Sequence, residues 1–236
     1  MITDINGWID GITASGVVIF GIIFGSFFMY RARKTKARLL IYLGLANMLA
    51  GLMFLGVFID FLSVLILQQN MPNNGIVAIL SYIWFAPVII TAMFIGAELL
   101  TPKLKLYIIL IILVVSVIFE IIVFLYPLES FNFNPPALTP ATENLIDYNV
   151  NIFTIAGLLM GGLLVSVIVF LGLGFIYKAF QSSGAIRKNF LYLSAGSLCF
   201  CIFGFLEGLT VPGLAVIIVR IGYLSSFWLM YLGLKT

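Results

Sequence analysis

The chain reads as an all-α polytopic membrane protein, a single seven-transmembrane-helix bundle with its N-terminus outside and its C-terminus inside. Three observations predict this. Hydrophobic residues make up 63% of the 236 positions and charged residues 9%, with a mean hydropathy of +1.21, values that soluble domains do not reach. The apolar residues fall into seven stretches long enough to cross a bilayer, which takes about 20 residues each. All 12 Lys and Arg except Arg220 fall on one side of those stretches, and basic residues are retained on the cytoplasmic side.

The opening residues 1–15 are polar and carry Asp4 and Asp10 without a basic run. They read as an external segment and not as a cleaved signal peptide. Span 1 covers about 12–30 and is closed by Arg31, Arg33, Lys34, Lys36 and Arg38. Span 2, about 39–65, emerges at a polar, uncharged turn from Gln68 to Gly75. Span 3, about 76–100, stops at Thr101-Pro102, because the residue before a proline leaves the helical region. Span 4 is about 106–126. The stretch 128–149 has Glu129, Glu143 and Asp147 and no basic residue, so it is an external loop. Thr139-Pro140 within it has the form of an N-cap followed by a first helical position. That predicts an early start, near Pro140, for span 5, whose core is about 150–178. Lys178, Arg187 and Lys188 flank a cytoplasmic turn, span 6 is about 190–209, Pro212-Gly213 makes a tight outer turn, and span 7 is about 214–234. Tyr30, Tyr42, Tyr107, Tyr177, Tyr192 and Tyr231 sit near the inner ends and Trp8, Tyr126 and Tyr148 near the outer ones, as an aromatic belt does.

The start of span 2, Ala37 to Ala46, can be laid over the start of span 6, Arg187 to Gly196, and Gly75 to Leu80 over Gly213 to Ile218. A parallel repeat of three helices, one linking helix and three more is the economical reading. In that three-plus-one-plus-three build the chain resembles microbial rhodopsins and SWEET sugar transporters, and above all the seven-helix sensory modules of prokaryotes. The resemblance lies in architecture across the whole chain. It implies a receptor-like role, while the retinal Schiff base of rhodopsins is excluded, since the lysine of this region is Lys235, at the end of span 7.

Ionisable residues within hydrocarbon persist only when paired, protonated or facing water, so they point to the site. Arg220 lies 15 residues above Lys235 and Glu120 15 above Lys105, each about 22 Å from the inner surface. Glu207 is 19 residues above Lys188, about 28 Å up, and Asp60 falls at the outer interface. The short turn from Thr210 to Gly213 forces spans 6 and 7 side by side, which pairs Glu207 with Arg220. Glu120 is either a second partner of Arg220 or a protonated acid bonded to a neighbour. The set reads as a structural ion pair fixing helix register, as an outward-facing ligand pocket of Arg220, Glu207 and Glu120 walled by Tyr82, Trp84 and Tyr223, or as a proton or ion path.

Pro87 is expected to kink span 3. Gly21-x-x-x-Gly25 and Gly157-x-x-x-Gly161 allow close helix approach, either within the bundle or in an oligomer, and Asn47, Ser116 and Ser166 are suited to bonds between helices. Cys199 and Cys201 point to different faces and read as core thiols. The chain has no His, which removes an imidazole metal site, a histidine triad and a haem axial histidine. We therefore expect no cofactor, no metal, no enzymatic activity and no nucleic-acid partner. The expected function is that of a sensor in a prokaryotic plasma membrane, binding a small amphipathic or lipid-like ligand in its outer half. It would meet membrane lipids directly and signal to a separate cytoplasmic or membrane protein. The alternatives are a small-solute or ion transporter and an accessory subunit of a larger membrane complex.

Overall fold

In the computed structural model, which describes residues 5–138, 145–210 and 213–234, six helices are long and apolar enough to cross a membrane, and a bent pair makes a seventh if it is counted as one span. The first is α1 (Ile5–Thr35) and the bent pair is α2 (Arg38–Leu52) with α3 (Leu55–Leu67). Next come α4 (Ile76–Tyr82) with α5 (Phe85–Leu100), then α6 (Lys105–Leu125), a short α7 (Pro127–Ser130) and a hairpin of β1 (Phe131–Asn134) and β2 (Asp147–Val150). The chain continues through α8 (Ile155–Val167), a π-helical turn at Ile168–Gly172, α9 (Leu173–Phe180), α10 (Gly184–Glu207) and α11 (Leu214–Leu234). The hairpin marks one end of the bundle and the Lys/Arg-bearing turns the other.

Helix α1 starts well before the expected residue 12. Its early polar residues do not interrupt it, because Thr13 and Ser15 donate their hydroxyls to the carbonyls of Ile9 and Gly11, both at 2.6 Å, and so satisfy themselves within the helix. Asp10 lies within this helix and is buried. Helices α1 and α2 approach closely: a Cβ on Gly21 would stand 2.6 Å from the Gly51 Cα, and one on Gly25 2.7 Å from the Gly44 carbonyl oxygen. The first small-residue motif is thus internal packing. Its counterpart differs, since Gly161 meets nothing within 4 Å.

Span 2 bends by 44° between α2 and α3 without a proline. Gly56 lies so close to α4 that an added Cβ would meet the Val77 carbonyl oxygen at 1.9 Å. Its amide donates across to Ser81 Oγ at 3.0 Å, which satisfies a group that the broken helix leaves open. Span 3 breaks at Ile83-Trp84, one turn before the expected Pro87 kink. Pro87 instead occupies the first turn of α5, where its missing N–H costs nothing.

The expected early start of span 5 is corrected. Residues 147–150 pair as a strand, Phe131 with Val150 and Asn134 with Asp147, and α8 begins at Ile155 with the Thr154 hydroxyl accepting from Gly157 N at 3.2 Å. The pair Thr139-Pro140 lies outside the described residues, as do Pro212 and Lys235. A chain expected to lack strands therefore has a two-stranded sheet. Alternation in β1 buries Phe131 and exposes Asn132.

The helices close a ring in chain order, α1 packing on both α2 and α11, while α5 packs directly on the π-helical turn and α9. That contact leaves α6 on the outside of the bundle, with one face, that of Ser116, Phe119 and Val123, buried against its neighbours. Its residues Leu106, Ile111, Val114 and Leu125 are exposed, as on a lipid-facing surface. The core is aromatic, with Phe28, Phe85, Phe119 and Phe227 fully buried.

Candidate functional site

Arg220 projects from α11 into the interior and is 4% exposed. Its Nη2 lies 2.6 Å from Asp10 Oδ1 and 2.7 Å from Glu207 Oε1, and Nε donates to the same Glu207 oxygen at 2.9 Å. Nη1 donates to the Asp10 carbonyl and to Thr13 Oγ1, each at 2.7 Å. The five guanidinium N–H groups thus meet five contacts. The Phe54 ring lies 5.2 Å from the guanidinium carbon, placed there by the bend between α2 and α3. A cation–π contact of this kind adds to the charge pairing.

Around this cluster runs an axial cavity of about 90 Å³. At the hairpin end its lining includes Asp10, Glu207, Arg220 and Asp147; Tyr82, Tyr148 and Tyr223 follow, and Leu43, Asn47, Ser197 and Met230 line the part toward the basic end. From Arg220 to Met230 this is about 15 Å along the axis. The volume has room for several waters or a small organic molecule. Asn47 Oδ1 and one oxygen each of Glu207 and Asp147 are buried without a hydrogen-bond partner.

The hairpin caps the cavity because the bundle end ties it down. Asp60, expected at an interface, is fully buried and accepts from Met71 N at 2.7 Å, Ile146 N at 2.9 Å and Asn70 Nδ2 at 3.1 Å. Val150 N donates to the Gly208 carbonyl at 3.2 Å and Asn151 N to that of Ser130 at 2.9 Å. Burial, with Asp10 nearby, pushes the Asp147 carboxyl up to about 8, against the lowering effect of the Tyr148 amide and of Arg220. Burial raises the Tyr148 hydroxyl too. Tyr148 therefore belongs to the cavity and not to an aromatic belt.

No protein-family model matches this chain, and no curated protein is significantly similar to it. Function has to be read from the site itself.

Of the residues singled out from sequence, Arg220, Glu207, Tyr82 and Tyr223 meet at the cavity, and Tyr223 donates to the Ala50 carbonyl at 3.3 Å. Glu120 and Trp84 do not. Glu120 Oε1 accepts from Ala86 N at 3.2 Å and so serves the open amide end of α5, while Trp84 packs against Leu49, Ala50 and Val88. Of the polar residues expected between helices, Asn47 donates to its own Leu43 carbonyl at 2.8 Å and reaches Met230 Sδ at 3.5 Å. Ser166 bonds within its own helix. Ser194, by contrast, donates across to the Gly172 carbonyl at 2.9 Å, which satisfies the π-helical turn.

Sequence reasoning missed Asp10 and Asp147. Asn6, Asp10 and Thr13 are spaced four and three apart, the mark of one helical face, so Asp10 had a signal. Asp147 had none, because a four-residue strand in a long loop gives no usable periodicity.

Proposed function

We propose that this chain is a receptor-like membrane module that binds a small amphipathic molecule in its axial cavity. The observation that carries the reading is the cavity itself. It has a charged layer at the hairpin end, aromatic walls below it and mostly apolar residues, with Asn47 and Ser197 among them, toward the basic end, matching a molecule with a polar head and a short, largely apolar body. Charges held in a membrane interior are expensive and are kept where they serve a function. In this reading the hairpin end lies outside, by the distribution of basic residues, and the membrane is a prokaryotic plasma membrane.

Binding would press on α10 and α11 through Glu207 and Arg220, and on α1 through Asp10. The basic turns at Arg31–Arg38 and Lys178–Lys188 would offer that movement to a separate cytoplasmic protein. The reading is non-catalytic and has no cofactor, and its likeness to prokaryotic seven-helix sensory modules is one of architecture.

A second reading, transport of a small solute, has its own support. Spans 2 and 3 are both interrupted and span 5 has a π-helical turn, all beside the cavity, and broken helices line the substrate paths of transporters. Flux into proteoliposomes would favour it. The test of the first reading is a high-resolution density map of the protein purified gently with native lipid. Non-protein density beside Arg220 supports a ligand site; a dry, empty cavity would reduce the cluster to a structural ion network and favour an accessory subunit.

A further inference from the structure

Resting on that ligand-binding reading, the geometry points to the chemical class of the ligand: we infer that the hairpin end of the cavity takes a small organic cation of the alkylammonium type. Its head would lie with Glu207 and Asp147 among the rings of Tyr82 and Tyr148.

An anion is disfavoured first. Arg220 is the cation of the layer, and its N–H groups already meet Asp10, Glu207 and Thr13. It has no donor left for a carboxylate or phosphate head. Three acids, Asp10, Glu207 and Asp147, line the cavity against that one guanidinium. With all four ionised, as above pH 8, the layer is negative, a state that a low-dielectric interior relieves by a proton on Asp147 or by further positive charge.

Once Asp147 is ionised, the unmet groups in the layer are acceptors. One oxygen of Glu207 and one of Asp147 are buried without a partner, and a buried acceptor left open costs about 1–3 kcal/mol. An ammonium head supplies two or three N–H donors to fill them. It is also drawn to the faces of aromatic rings, of which the cavity offers Tyr82, Tyr148 and Tyr223. A bare metal ion fits less well, since no three metal-ligating side chains among the described residues, these acids included, are placed to hold one. The body of the molecule would run along the axis toward Leu43 and Met230. The cavity of about 90 Å³ limits it to a short chain.

The test compares n-butylammonium with n-butanol, which shares its chain but not its charge, by thermal unfolding of the full chain in lipid nanodiscs. The pH is set above 8, where the Asp147 carboxyl is ionised. The ammonium should raise the midpoint more than the alcohol does. Asp147→Asn should weaken the ammonium response about tenfold or more, the size of one lost charge-assisted bond, and leave the alcohol response unchanged; Glu207→Gln is the second variant. Equal stabilisation by amine and alcohol, or an amine response that neither variant alters, overturns the cation inference and leaves the ligand-binding reading standing. No stabilisation by either compound overturns both.

Discussion

Asp10 and Arg220 stand 210 residues apart in sequence, yet Asp10 Oδ1 lies 2.6 Å from Arg220 Nη2 and its own carbonyl accepts from Nη1. This contact joins the first span to the last. Glu207 takes the other side of the guanidinium from α10, so one buried cation holds three helices.

Removing that cation leaves two acids unpaired, not one. Arg220→Leu should lower stability by about 3–5 kcal/mol, the usual result of stranding a buried charge. Adding Glu207→Gln should restore only part of the loss, and adding Asp10→Asn as well should restore most of it. Thermal unfolding of the single, double and triple variants in detergent checks this. Full recovery in the double variant would mean that Asp10 does not share the charge.

Asp60 satisfies three donors from two loops. Asp60→Ala should cost about 2–4 kcal/mol through the open amides left behind. It should also speed hydrogen exchange at Met71 and Ile146 while α6 exchanges as before. Unchanged protection at both amides would show that the hairpin is held without Asp60, by packing and by the bonds of Val150 and Asn151.

Asp147, held up to about 8 by burial, retains its proton in the folded protein across a range in which the unfolded chain, with an ordinary value near 4, has lost it. The folded state binds the extra proton, so stability should fall as pH rises from about 4 to 8 and level off beyond. Asp147→Asn should flatten that slope. Unfolding midpoints across this range, with and without the substitution, measure it.

Glycines separate by what faces them. Gly56→Ala places its new carbon 1.9 Å from the Val77 carbonyl oxygen, a backbone atom that cannot step aside, and should cost several kcal/mol, on the scale of severe overpacking. Gly161→Ala meets open space and should be neutral or stabilise by about 0.5–1 kcal/mol through helix propensity. Similar midpoints for the two variants would contradict the close contact of α3 with α4.

Much of the bundle was legible because hydrophobic length is a local property: a run of apolar residues states its own membrane-crossing length, whatever it packs against. The pairing of Glu207 with Arg220 was legible for a related reason, since a short turn leaves its two helices no choice but to touch. Glu120 shows the limit of reading by depth. Counted in residues it stands level with Arg220, but its carboxylate turns to the start of α5, and a one-dimensional height says nothing about the face.

By itself the sequence determined the helical class, the approximate spans and one of the two acids on Arg220, because each follows from composition, chain length or a short connection. Only the tertiary structure decided that Asp10 closes the charge cluster, that Gly56 and Ser81 join the bent span 2 to α4, and that a hairpin anchored on Asp60 caps the cavity. Those features depend on residues far apart in the chain, brought together by the packing of whole helices, and no local pattern encodes which distant neighbour a side chain will meet.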